Sequence, residues 1–134
     1  MRRIVHNPEA VVPPFSAYAH GVEIPRAHRM LFVSGQLGVA KDGSTPPDFP
    51  AQCRLAFDNV LAVLRAAGMT IDNVMKINTY LTRRSDIAAY REVRDVVLEG
   101  RLAASTVVTV AGLARDDLLV EIEAIAVAGP DHSE

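Results

Sequence analysis

The stretch Leu118–Val127, read Leu-Leu-Val-Glu-Ile-Glu-Ala-Ile-Ala-Val, leaves a chain of this kind few ways to fold. Strand periodicity places Val120, Ile122, Ala124 and Ala126 on one side and Leu119, Glu121, Glu123, Ile125 and Val127 on the other. The first side belongs under a packed layer. The second mixes two carboxylates with three large aliphatics, which suits neither a core nor an open solvent face. Val74–Thr82 repeats the pattern, with Met75, Ile77, Thr79 and Leu81 opposite Val74, Lys76, Asn78, Tyr80 and Thr82. Strands of this design predict a sheet covered by helices on one face, whose other face packs against further copies of the chain.

Two stretches supply the helices. From Asp48, an N-cap with Pro50 in the first turn, apolar residues recur at Cys53, Ala56, Phe57, Val60, Leu61, Leu64 and Ala67, and Gly68 provides a left-handed stop. A second helix starts at Ser85, with Asp86 set to complement the helix dipole. It repeats at Ile87, Tyr90, Val93, Val97 and Leu98 and ends at Gly100. Arg91, Glu92, Arg94 and Asp95 then form its solvated face. Further strands are predicted at Met30–Gly35 and Ser105–Ala111, with shorter ones at Ile4–His6 and Tyr18–Ile24. The order β-β-β-α-β-α-β-β gives an α+β fold, one mixed sheet with two helices on one face.

The 134 residues make one domain, with a polar tail over 127–134. Fourteen basic against sixteen acidic side chains leave a net charge of −2, which argues against a nucleic-acid partner. A single cysteine, Cys53, excludes an internal disulfide, and its place in the apolar helix set makes it a core filler. No apolar run approaches a membrane span, and the basic start lacks the apolar segment of a signal peptide, so a cytoplasmic protein is expected. His6, His28 and His132 lack metal-ligand spacing, and neither a metal nor a cofactor is expected.

Several segments in their order resemble the RidA (YjgF) family: Tyr18-Ala19-His20-Gly21-Val22, Leu31-Phe32-Val33-Ser34-Gly35-Gln36, the Asn59–Gly68 helix, Val74-Met75-Lys76 and Val120–Ala126. The resemblance runs from about Pro14 to Val127. It implies a chorismate-mutase-like fold, a homotrimer whose sheets form a central barrel, and small-molecule sites between subunits. The activity it implies is hydrolysis of reactive imines and enamines, such as 2-aminoacrylate, to a keto acid and ammonia. Older family labels speak of an endoribonuclease, for which this acidic chain without tryptophan gives little support.

On that resemblance Glu121 matches the carboxylate that orients or activates water; the same residue also reads as a structural carboxylate. Tyr18, Ser34 and Gly35 match positions lining the cleft, Ser34-Gly35 reading equally as a strand bulge. Family members that deaminate imino acids hold the substrate carboxylate with an arginine in a Pro-Ala-Arg-Ser/Thr context. Here the stretch is Arg101-Leu102-Ala103-Ala104-Ser105-Thr106, with Ala104 in the arginine's place. Loss of that guanidinium weakens recognition of an imino acid by ~10²–10⁴-fold, so the chain reads as a branch without the anchor, acting on an imine other than a simple 2-imino acid. Arg101 is the one nearby replacement, three residues away and so on the opposite strand face. His20 reads as an acid or base beside Tyr18, or as a surface residue. Lys76 reads as a partner for Glu121 or Glu123. The alternative to an enzyme is a trimer that binds a small molecule without turning it over.

Overall fold

The computed structural model describes residues 2–26 and 29–129. Strands β1 (Ile4–His6) and β2 (Gly21–Glu23) pair antiparallel as a separate two-stranded sheet. Strand β3 (Arg29–Leu37) leads to helix α1 (Phe49–Ala66), then β4 (Val74–Leu81), helix α2 (Ile87–Leu98), β5 (Ala104–Thr109) and β6 (Val120–Ala128). The main sheet has the order β3-β6-β4-β5. Its pairs are antiparallel except β4 with β5, which are parallel and joined through α2.

The two helices lie on one face because the strands offer them one apolar side. Val120, Ile122, Ala124 and Ala126 are at most 4% exposed and pack with Ile77 and Leu81 of β4. Phe57, Val60 and Leu64 come down from α1, and Tyr90, Val93 and Leu98 from α2. The Phe57 and Tyr90 rings stack at 6.3 Å and tie the helices together. Cys53 is fully enclosed in this layer, and burial pushes its thiol up to about 12.

Capping follows the sequence at α1. The Asp48 carboxylate accepts a hydrogen bond from the Ala51 amide at 3.1 Å, Pro50 occupies the first turn, and Gly68 takes a φ of 70° just beyond the end. Helix α2 departs from the expectation. A 3₁₀ turn over Arg84–Asp86 precedes it, and Asp86 makes no cap hydrogen bond because its carboxylate is held by Arg83 Nε at 2.7 Å. Both Glu99 and Gly100 adopt left-handed backbone at its end.

Three further corrections concern reach and pairing. Tyr18–Ile24 is not one strand, and the small sheet it contributes to is separate from the main one. Only Gly21–Glu23 pairs with β1, while Ala19 makes a lone parallel bridge to Ala104. Strand β6 continues through Val127 and Ala128, paired with Met30 and Arg29, so the chain from 127 is strand before it is tail; residues 130–134 lie outside the described ones. Arg94, placed by periodicity on a solvated face, is 2% exposed. Its position one turn after Tyr90 carries the guanidinium back over that ring, 5.7 Å from the centroid, where Asp95 Oδ1 meets Nε at 3.1 Å. Among the described residues no helix is long and apolar enough to cross a membrane.

Candidate functional site

The uncovered face of the sheet holds one group of candidates. Glu121 sits in β6 between Leu37 of β3 and Tyr80 of β4. The β3–β6 register slips between Val33 and Gln36, so Ser34 and Gly35 form a bulge beside it. A Cβ added at Gly35 would lie 1.8 Å from Glu121 Oε2, which means that the carboxylate rests directly on the glycine backbone. Ser34 is exposed, and its carbonyl accepts a hydrogen bond from Gln36 Nε2 at 3.0 Å. Two residues along from Glu121, Glu123 accepts a hydrogen bond from the Tyr80 hydroxyl. That bond, reinforced by burial and by the negative charges of Glu123 and Glu121, holds the Tyr80 phenol above its ordinary range. Lys76 reaches neither glutamate. Its ammonium donates to Thr106 Oγ1 at 2.9 Å on the neighbouring strand.

A second group gathers at the β5 edge. Residues 15–20 run beside β5, fixed by the Ala19 amide donating to the Ala103 carbonyl at 3.1 Å. The Tyr18 hydroxyl accepts from the Phe15 amide at 3.3 Å, and its ring meets His20 edge-on at 5.8 Å. His20 is committed to the chain itself: Nε2 lies 2.6 Å from the Val12 carbonyl, and its amide donates to Asn7 Oδ1. Tyr18, Ser105 and Thr106 line a cavity of about 320 Å³, closed on the other side by Arg91 and Arg94 of α2. Tyr90, fully buried, lies against Arg94. Burial raises its phenol above the ordinary range, against the opposing pull of hydrogen bonds from Thr79 and Ser105 and of the Arg94 charge.

Ala104 and Arg101 do not join this cavity. The pairing Lys76↔Ala104 puts Ala104 on the face of Lys76 and Thr106, with Ser105 on the helix side. Arg101 turns away because Asp72 takes its Nε and Glu99 lies 3.5 Å from Nη1, while Nη1 also donates to the Leu98 carbonyl. It borders a separate recess of about 120 Å³ with Ala17 and Leu102.

Within one copy the two groups stay apart. Tyr80 pairs with both Glu121 and Val108, whereas Ala104 pairs with Lys76. Glu121 is therefore two strands across and four residues along from Ala104, and two strands across and two residues along from Thr106 at the cavity, ~12 Å at ordinary strand spacings. On the same uncovered face Met30 and Phe32 are 58% and 68% exposed.

Arg91 and Arg94 were not among the candidates read from the sequence. Their signal was available as two basic residues at i and i+3 just after Tyr90, but helical periodicity assigned both to solvent. Gln52 was missed as well. It is fully buried, donating to the carbonyls of Pro46 and Asp117 and accepting from the Leu119 amide, and so fixes the loops that lead into β6. Among the described residues, no three His, Cys, Asp or Glu side chains are grouped so as to hold a metal ion; His28 and His132 lie outside them.

Comparison with known proteins agrees with this architecture. A family model described as Endoribonuclease L-PSP matches residues 9–128. The 2-iminobutanoate/2-iminopropanoate deaminase of Escherichia coli K12 is 34% identical over 125 residues, covering 90% of this chain and 92% of that protein. A crystal structure of Escherichia coli TdcF with bound serine superposes with a TM-score of 0.70 at 30% identity, covering 94% of this chain and 99% of that one. A Rid-family protein of unknown function from Yersinia pestis, YyfB, reaches a TM-score of 0.86 at 34% identity, over 96% of this chain and 100% of that one. With a family model spanning nearly all of its strands and helices, and full-length relatives sharing a third of its residues, this chain belongs to the RidA (YjgF) family.

Proposed function

We propose that this protein is a deaminase-type hydrolase of small reactive imines or enamines, working at sites completed between copies of the chain in a homotrimer. The observation that carries the reading is the Glu121 carboxylate laid on the Gly35 backbone at the β3 bulge. A carboxylate held there removes a proton from water as the oxygen attacks the C=N carbon. It returns that proton to nitrogen, then takes the hydroxyl proton of the tetrahedral adduct and passes it to the same nitrogen as the C–N bond breaks, leaving a carbonyl compound and ammonia. The relatives support this chemistry, one being a deaminase of 2-iminobutanoate and 2-iminopropanoate and another holding serine in its crystal.

Assembly answers the ~12 Å separation of Glu121 from Thr106 at the cavity, since a small imine does not span it within one copy. A neighbouring copy packed on the uncovered face would cover Met30 and Phe32 and bring its own β5 edge toward Glu121. The same face is acidic at Glu121 and Glu123, the opposite of what an RNA backbone needs. Although β5 lacks the arginine, two α2 guanidinium groups border the cavity, and 2-imino acids therefore stay among the candidate substrates.

The test is ammonia release from imines generated in situ by an amino-acid oxidase, with Glu121→Gln as control and sedimentation to follow the oligomer. Turnover lost in a trimer that persists supports the assignment. Full turnover in Glu121→Gln removes the carboxylate's role. Silence of the wild type on every imine would replace the enzyme with a trimer that binds small molecules without converting them.

A further inference from the structure

We infer that the cavity between α2 and the β5 edge is a carboxylate-binding subsite, in which Arg91 and Arg94 of the helix supply the guanidinium anchor that β5 lacks. The ligand class, a short 2-imino or 2-oxo acid, rests on the deaminase reading; the anion site itself rests on geometry. Two of the nine residues lining the cavity are arginines and none is acidic, while Ser16, Tyr18, Ser105 and Thr106 add hydroxyl groups. At about 320 Å³ the cavity falls at the small end of ligand pockets.

Both arginines are placed at a cost that an anion would offset. Arg91 Nε is sealed from solvent and meets no acceptor, and buried polar groups in folded proteins are rarely left so. Arg94 is 2% exposed, with one carboxylate, Asp95, on its Nε. Its Nη2 has only Ser16 Oγ at 3.4 Å, near the limit of a hydrogen bond. The two like charges share one helix face at i and i+3, where they repel unless a negative group lies between them. A planar carboxylate presents paired acceptors to such donors, and the helix holds the guanidinium groups while Ser105 closes the opposite wall.

An arginine at Ala104 would start from the Lys76 face of β5, whereas α2 reaches the cavity from the helix side. The anchor has thus changed element, and a sequence comparison restricted to the β5 motif reads it as lost.

The assembled wild-type protein is titrated with 2-oxobutanoate, and binding is followed by calorimetry and by the arginine Nε–H resonances in nitrogen-15 NMR. The expected result is saturable binding with a shift of the Arg91 Nε–H signal, identified by its absence in Arg91→Lys. Arg91→Gln weakens binding about 10- to 100-fold, and Arg91→Lys recovers part of the loss. In turnover, Arg91→Gln raises KM for an imino acid by the same factor with kcat within about threefold, and leaves KM for an imine lacking a carboxylate unchanged. No binding by the wild type, an unmoved Arg91 signal, or equal affinity for inorganic phosphate would overturn the subsite. Binding through Arg91 without ammonia release from any imine would sink the deaminase and keep the subsite. Turnover of imino acids with a KM indifferent to Arg91→Gln would do the reverse.

Discussion

On the helix-covered face of the sheet, Val120, Ile122, Ala124 and Ala126 are almost wholly enclosed. On the opposite face of the same strand, Glu121, Glu123 and Ile125 are half-buried, beside an exposed Met30 and Phe32 on β3. Alternate residues of one nine-residue strand therefore serve separate ends. One set holds the helices on, and the other carries the carboxylate and the face proposed to meet another copy. Because the strand period is two, a change on either face leaves the other's side chains where they were. Stability and chemistry are separable residue by residue.

Substitutions can break that separation or sharpen it. The largest effect is expected from Glu121→Gln, which lowers imine turnover by roughly 10²–10⁴-fold, while the melting temperature moves by no more than a few degrees. A collapse of stability in that variant would mean that Glu121 is structural. One residue on, Ile122→Ala opens the core and costs about 2–5 kcal/mol in urea unfolding. If the proposed trimer packs on this face, a charge at the exposed Phe32 position, as Phe32→Asp, shifts sedimentation from trimer to monomer and leaves far-ultraviolet circular dichroism intact. An unchanged oligomer would sever the uncovered face from assembly.

Gly35→Ala has a subtler consequence. The new methyl group displaces the Glu121 carboxylate, a flexible group, so turnover falls by about 10-fold or more while the fold survives. The smallest response belongs to Cys53. With its thiol pushed up to about 12, it remains protonated at pH 8, and native protein resists alkylation that unfolded protein accepts. Rapid native labelling would place the thiol outside the enclosed layer.

Much of the helix-covered face was legible in the sequence because strand alternation and helix caps are local. Val120–Ala126, Asp48 and Gly68 each declared themselves through their own neighbours. Arg94 did not, since a long side chain lets a charged residue enter a layer that periodicity reserves for apolar ones, given a ring such as Tyr90 to lie on. Ala104 was located by its motif, but its side of β5 depends on parallel pairing with β4, which no local pattern encodes. The split of Tyr18–Ile24 has a similar cause. Ala19 bridges to Ala104 while Gly21–Glu23 pairs with Ile4–His6, and both partners are remote in sequence. The closeness of Glu121 to Gly35 was likewise invisible, because it depends on the bulge between Val33 and Gln36.

Gln52 gives this architecture a dynamic signature. Its side chain bonds the carbonyls of Pro46 and Asp117 and the amide of Leu119, and so joins the segment before α1 to the one that enters β6. Opening any of them requires withdrawing a fully buried amide from α1, so these loops exchange their protons with the helix rather than as surface segments. Leu119 lies two residues before Glu121. The start of the strand that carries the carboxylate is thereby clocked to α1, and slow amide exchange at Leu119 would report whether Glu121 keeps a fixed aim.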